Sequence, residues 1–126
     1  YNLFENLKLE NFSIFPGSES KLLKGLELGC DGVITATCNV TAQLARRVYD
    51  DFFSGKEQLY NKKLIEVRNE FEKYNLISAL HTYKSKEDQN FKNVIPPLGL
   101  LNDTDDNNLI LNLKKLDFQI NSQLAA

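Results

Sequence analysis

The sequence predicts an α/β fold over its first 55 residues and an all-helical region over residues 56–126. Three observations predict it. The short apolar stretch Phe12 to Phe15 stops at Pro16-Gly17 and runs at once into a helix-like segment. Val33 to Cys38 is a nearly continuous apolar run rich in β-branched residues, and it too leads into a helix-like segment. Beyond Gly55 apolar residues recur every three or four positions, which is a helical and not a strand period.

Taken in order, residues 1–9 place Leu3, Phe4, Leu7 and Leu9 near helical spacing, as at the end of a helix. Asn11 to Phe15 alternates weakly and predicts a short strand, ended by Pro16 and Gly17. Ser18 is placed as N-cap of a helix over Glu19–Leu28, with Glu19 and Ser20 in its first turn. Leu22, Leu23, Leu26 and Leu28 form its apolar face, and Gly29 is placed to stop it. Val33 to Cys38 suits a strand buried on both faces, as in a parallel sheet. A helix follows over Thr41–Phe53, with Asn39 as its cap and Gly55 as its stop. Strand, helix, strand, helix with short turns is a right-handed β/α arrangement.

In residues 57–74, Tyr60, Leu64, Val67, Phe71 and Tyr74 lie four, three, four and three apart, one helix with a clear apolar stripe. "LISALHTYK" predicts a short helix, and "VIPPLGLL" an extended connector stiffened by its prolines. A last helix starts at Thr104 as cap, carries acids in its first turn, and keeps Leu109, Leu113, Leu116 and Ile120 in step. No internal repeat or low-complexity segment is present.

Composition narrows the function. A net charge of -2 gives no electrostatic footprint for nucleic acid. No apolar run reaches the roughly 20 residues a membrane helix needs, and the N-terminus lacks the pattern of a signal peptide. Cys30 and Cys38 follow no metal-ligand spacing, and His81, the only histidine, cannot complete a Cys/His zinc site. Thiols in an apolar setting read as reduced, which points to the cytoplasm, where the Asn-X-Ser/Thr tripeptides at Asn11, Asn39 and Asn102 are chance matches. The chain has no methionine, even at position 1, as expected of a processed or partial chain. Two parallel strands also need neighbours on both edges. The expectation is therefore the C-terminal part of a larger β/α protein.

The residues themselves carry a resemblance. "PGSE" at 16–19 and "GCDGVITATCN" at 29–39 are similar to the ends of the seventh and eighth strands in the dihydrodipicolinate synthase / N-acetylneuraminate lyase family. The three helical stretches after Gly55 and "IPPL" at 95–98 resemble the family's C-terminal helical region. Ser18-Glu19 stands where the family often has two acids, and Thr35 where serine is common. The resemblance implies the last two strands and helices of a (β/α)8 barrel (residues 1–55), then a helical region (56–126). It also implies a class I, Schiff-base chemistry: a strand-borne lysine attacks the keto carbon of pyruvate and the resulting enamine adds to an aldehyde. No cofactor is implied, and a homo-oligomer is.

Such barrels hold their sites at the C-terminal ends of the strands. By the resemblance, Gly17, Ser18 and Ile34 border the pyruvate-derived moiety. Glycine permits close approach of the backbone, and isoleucine offers an apolar wall. A strand stop plus an N-cap accounts for Gly17-Ser18 equally well, and barrel packing for Ile34. No catalytic residue is nominated. A Schiff-base lysine must be desolvated, whereas Lys8, Lys21, Lys24 and the later lysines fall on predicted helices or nearby turns. The isolated chain is expected to be inactive and to self-associate through an exposed sheet edge. His81, Arg46-Arg47 and Lys62-Lys63 read as satisfied or solvated groups, Thr35 and Thr37 as strand formers, and Tyr49, Phe52, Phe53, Tyr60, Phe71 and Tyr74 as packing residues. General likeness favours condensation of pyruvate with aspartate semialdehyde in lysine biosynthesis. The alternatives are cleavage of 2-keto-3-deoxy sugar acids or N-acetylneuraminate, and a non-catalytic oligomerisation role.

Overall fold

The computed structural model describes residues 10–119. A single turn of 3-10 helix, Glu19–Lys21, leads into α1 (Leu22–Glu27). Then come α2 (Cys38–Phe53), α3 (Asn61–Glu72), α4 (Leu76–Lys84), a 3-10 turn at Gln89–Lys92, and α5 (Asp103–Lys115).

Helix α3 is the centre of the packing. It touches α2, α4, α5 and the Glu19–Lys21 turn, and its Leu64, Val67 and Phe71 are fully buried. Leu22 and Leu26 of α1, Leu44 and Val48 of α2, Leu80 and Tyr83 of α4, and Leu109 and Leu113 of α5 join the same core. Burying such side chains contributes about 1.5–3 kcal/mol each. Phe71 meets Tyr83 edge-on at 5.4 Å, and Phe118 stacks on Tyr83 at 6.2 Å.

Helices α1, α2 and α5 end in one motif, in which a residue in the left-handed region lets two amides reach back to orphan carbonyls. Gly29 (φ 93°) closes α1 through Cys30 N–H to Gly25 and its own N–H to Leu26. Gly55 (φ 65°) closes α2 through Lys56 N–H to Asp51. Asp117 (φ 51°) closes α5 through Phe118 N–H to Leu113, which swings Phe118 into the core.

Several expectations need correction. No strand forms among the described residues. In place of the predicted strands at Asn11–Phe15 and Val33–Cys38, residues 12–16 and 31–35 are irregular connections running in the same direction, joined by Asp31 N–H to Ile14 (3.1 Å) and Ile34 N–H to Pro16 (3.2 Å), and Cys38 is already helical. The two bonds advance two residues on one side and three on the other, so the register slips. The Asp31 carboxylate takes the Ile14 N–H (3.2 Å) that a ladder would give to a carbonyl. A parallel ladder needs evenly spaced bonds on both sides.

The helix bounds shift for local reasons. Cys38 opens α2 because the Thr35 hydroxyl accepts its N–H at 3.1 Å. Thr35 is thus the capping side chain, while Asn39 sits in the first turn and donates to the Ala36 carbonyl (2.8 Å). The helix expected over Glu19–Leu28 is split into a 3-10 turn and α1. Asn102, not Thr104, caps α5, accepting from Asp105 N–H at 2.8 Å. Asp117 stops that helix before Ile120, which lies outside the described residues, as do residues 1–9. No described helix is long and apolar enough to cross a membrane.

Candidate functional site

Gly17, Ser18 and Ile34 are brought together although they lie up to 17 positions apart, because the Ile34 amide donates to the carbonyl of Pro16, the residue before Gly17. That bond engages the Ile34 N–H and leaves its carbonyl and side chain. The side chain is 71% exposed. Gly17 is exposed, and a Cβ built on it would meet nothing within 4 Å. Its φ is not among the positive ones. Neither packing nor backbone conformation therefore requires glycine here, and its effect is to leave open space above the turn. Ser18 is half-buried at the N-cap position with extended backbone, φ -151° and ψ 138°. Its hydroxyl does not cap the helix but meets the Ser20 hydroxyl at 2.9 Å.

Directly beneath lies a polar cluster that the sequence reading missed. Glu19 is 0% exposed. One carboxylate oxygen accepts from the Thr41 hydroxyl at 2.7 Å, the other from Arg68 Nη1 at 3.0 Å. The same Nη1 donates to the Thr37 hydroxyl at 2.5 Å. Thr41 also lies 3.1 Å from the Thr37 carbonyl. The other edge of the guanidinium, Nε and Nη2, grips Glu72 Oε1 at 2.7 and 2.6 Å. A charge buried to this extent persists only when paired and hydrogen-bonded. Its signature is legible in retrospect: Arg68 falls four after Leu64 and three before Phe71, on the apolar stripe of α3. Thr37 is thus a buried hydroxyl partner for an arginine, not a strand former.

The other polar candidates are accounted for locally. His81 Nδ1 donates to the Phe91 carbonyl at 2.8 Å. Burial pushes the Cys30 thiol up, helped by the neighbouring Asp31 charge. Burial also pushes up Cys38, against a hydrogen bond from Thr35 that pulls the other way. Neither thiol is poised as a nucleophile, which requires a lowered pKa. Among the described residues, clefts lie in at least three places. One of about 340 Å³ lies between Phe15, Val33, Cys38 and Tyr49. One of about 200 Å³ lies beside Tyr83, Ile110 and Phe118. One of about 110 Å³ lies between Asn39, His81, Lys84 and Phe91. None of the three includes Gly17, Ser18 or Ile34.

With this geometry in hand, likeness to known proteins is informative. The sequence profile of the Dihydrodipicolinate synthetase family matches residues 2–116. Among solved structures the chain is similar to Proteus mirabilis N-acetylneuraminate lyase, with a TM-score of 0.78 and 19% identity over 94% of this chain and 42% of that one. It is similar to a dihydrodipicolinate synthase of Bacillus anthracis (TM-score 0.75, 16% identity, 84% of this chain and 37% of that one). A prophage protein of the dihydrodipicolinic acid synthase family from E. coli K12, solved in complex with pyruvate, is also similar (TM-score 0.67, 20% identity, 86% and 38%). No curated protein matches. The chain spans about two-fifths of the length of the solved structures it resembles. Those structures are barrels, and the described residues, among which no strand forms, correspond to only part of one. The profile match extends over nearly the whole chain and through both turns that carry Gly17 and Ile34, and on that ground the chain belongs to the dihydrodipicolinate synthetase family.

Proposed function

We propose that residues 1–55 form the last β/α units of a pyruvate-dependent lyase barrel, that residues 56–126 form its helical region, and that Gly17, Ser18 and Ile34 line the end of the pocket that holds the keto acid. The observation that carries this reading is the pairing of an unconstrained glycine with an exposed isoleucine across the Ile34–Pro16 hydrogen bond. Open space over Gly17 lets a carboxylate or carbonyl oxygen approach the main chain. The Ile34 side chain then covers the methyl or methylene carbon of the keto acid.

Every described lysine is exposed or half-buried, which does not suit a desolvated imine-forming amine. In this reading the Schiff-base lysine comes from outside residues 10–119, no cofactor takes part, and the isolated chain is inactive. For the whole protein the favoured reaction joins pyruvate to aspartate semialdehyde in lysine biosynthesis, in the cytoplasm and as a homo-oligomer. Aldol cleavage of 2-keto-3-deoxy sugar acids or of N-acetylneuraminate is the alternative within the family.

Borohydride reduction of the full-length protein in the presence of pyruvate tests the reading. A stable adduct is expected, located by mass spectrometry to a lysine outside residues 10–119. Absence of any adduct on the full-length protein overturns it. One observation favours a second, non-catalytic reading as an oligomerisation element: Ile95, Leu98 and Leu100 of the connector are exposed at 83%, 36% and 40%. Light scattering that shows self-association, together with no adduct, would select it.

A further inference from the structure

We infer that Arg68 is a positioning residue for the keto-acid pocket: its guanidinium, on a helix that touches neither Gly17 nor Ile34 by any bond given above, fixes the two site-bearing turns relative to each other. The functional half of this inference rests on the reading of Gly17 and Ile34 just proposed; the geometric half does not.

The geometry is specific. Glu19 follows Gly17-Ser18 in the first turn, and Thr37 follows Ile34 by three residues in the second. One nitrogen, Arg68 Nη1, bonds to both, at 3.0 Å to Glu19 and 2.5 Å to Thr37. Thr41 adds a second tie from the first turn of α2 to the Glu19 carboxylate. Apart from these, the two segments are joined by the backbone bonds from Ile34 to Pro16 and from Asp31 to Ile14, and by the Ile14 amide donating to the Asp31 carboxylate, all on the N-terminal side of the second turn. Glu72 holds the opposite edge of the guanidinium through Nε and Nη2, so it sets the plane in which Nη1 projects. Arginine is required by this arrangement. A lysine ammonium presents one compact nitrogen and cannot grip Glu72 with one edge while serving Glu19 and Thr37 with the other. Small misplacement of a binding group costs far more in function than in fold, since an error of about 1 Å can cost about a hundredfold.

The test uses the full-length protein with Arg68→Lys and, as a milder change at the half-exposed end of the network, Glu72→Gln. Two readouts are taken on each variant. Hydrogen exchange by mass spectrometry follows peptides spanning residues 12–20 and 31–41, with α5 as internal reference. Pyruvate affinity is measured by the concentration dependence of borohydride trapping.

Faster exchange in both turn peptides, with α5 unchanged, is expected for both variants. Pyruvate affinity is expected to fall by about ten- to a hundredfold in Arg68→Lys, and less in Glu72→Gln. Unchanged exchange in both turns, or an equal rise in every helix, overturns the positioning role. So does full pyruvate affinity in a folded Arg68→Lys protein. If the unmodified protein traps no pyruvate, the reading of the pocket has failed, and the exchange data alone still decide whether Arg68 fixes the two turns.

Discussion

The buried Glu19–Arg68 pair makes a prediction about stability that can be worked from its neighbours. In Arg68→Met the carboxylate of Glu19, 0% exposed, keeps the Thr41 hydroxyl bond but loses its counter-charge. The buried Thr37 hydroxyl loses its donor as well. Breaking one side of a buried pair costs about 3–5 kcal/mol. The bonds to Glu72 add little, because that side chain is 46% exposed and exposed pairs contribute about 0–1 kcal/mol. The reverse change, Glu19→Leu, leaves Arg68 still paired with Glu72 and Thr37, and costs about 1–3 kcal/mol. With both replaced, no buried charge remains. The double variant is therefore expected to be about 1–3 kcal/mol more stable than the two single losses imply. Urea unfolding of all four proteins, followed by far-ultraviolet circular dichroism with matched slopes, gives the cycle. Single effects that add to within about 0.5 kcal/mol would show that the two groups do not interact, and would refute the reasoning.

Gly17→Ala should leave the melting temperature of the full-length protein nearly unchanged, since neither φ nor packing demands glycine, while lowering pyruvate affinity; an unaltered affinity would count against the pocket assignment. Gly55→Ala places a side chain at φ 65° and should destabilise by about 1–2 kcal/mol in thermal or urea melts. Asn102→Ala should cost about 1 kcal/mol and Thr104→Ala much less, measured the same way, because only Asn102 accepts the amide of Asp105. Burial raises the folded-state pKa of Cys30, so between its unfolded and folded values the native state holds a proton that the unfolded state has lost. The contribution is intact below the ordinary thiol range and declines as pH rises through it. Chemical denaturation at rising alkaline pH should therefore show a steeper loss of stability in the parent than in Cys30→Ala.

What the sequence revealed depended on how local the cause was. Gly29 and Gly55 were legible as helix stops because a left-handed residue after an apolar stripe has few other uses. The stripe of α3 was legible from its period, and the short helix at 76–84 was also expected. Asp117 escaped notice because an aspartate in the left-handed region looks like any other polar residue until the two returning amides are seen. Val33 to Cys38 misled because β-branched composition reports burial and propensity, whereas the Thr35 side chain had already captured the first helical amide. Gly17, Ser18 and Ile34 were drawn from likeness to a family, and their proximity emerges only through the Ile34–Pro16 bond. Arg68 is not legible from local pattern, since a lone charge within an apolar stripe gains its meaning from a partner, Glu19, that lies 49 positions away.

That separation also orders events in time. A ribosome releases the chain from its N-terminus, so Glu19 emerges well before Arg68 exists. Until α3 has been synthesised, a buried Glu19 would have no guanidinium to meet, and water remains its best partner. The two turns can be made early, but they can be locked only late, by a residue that is translated after both of them.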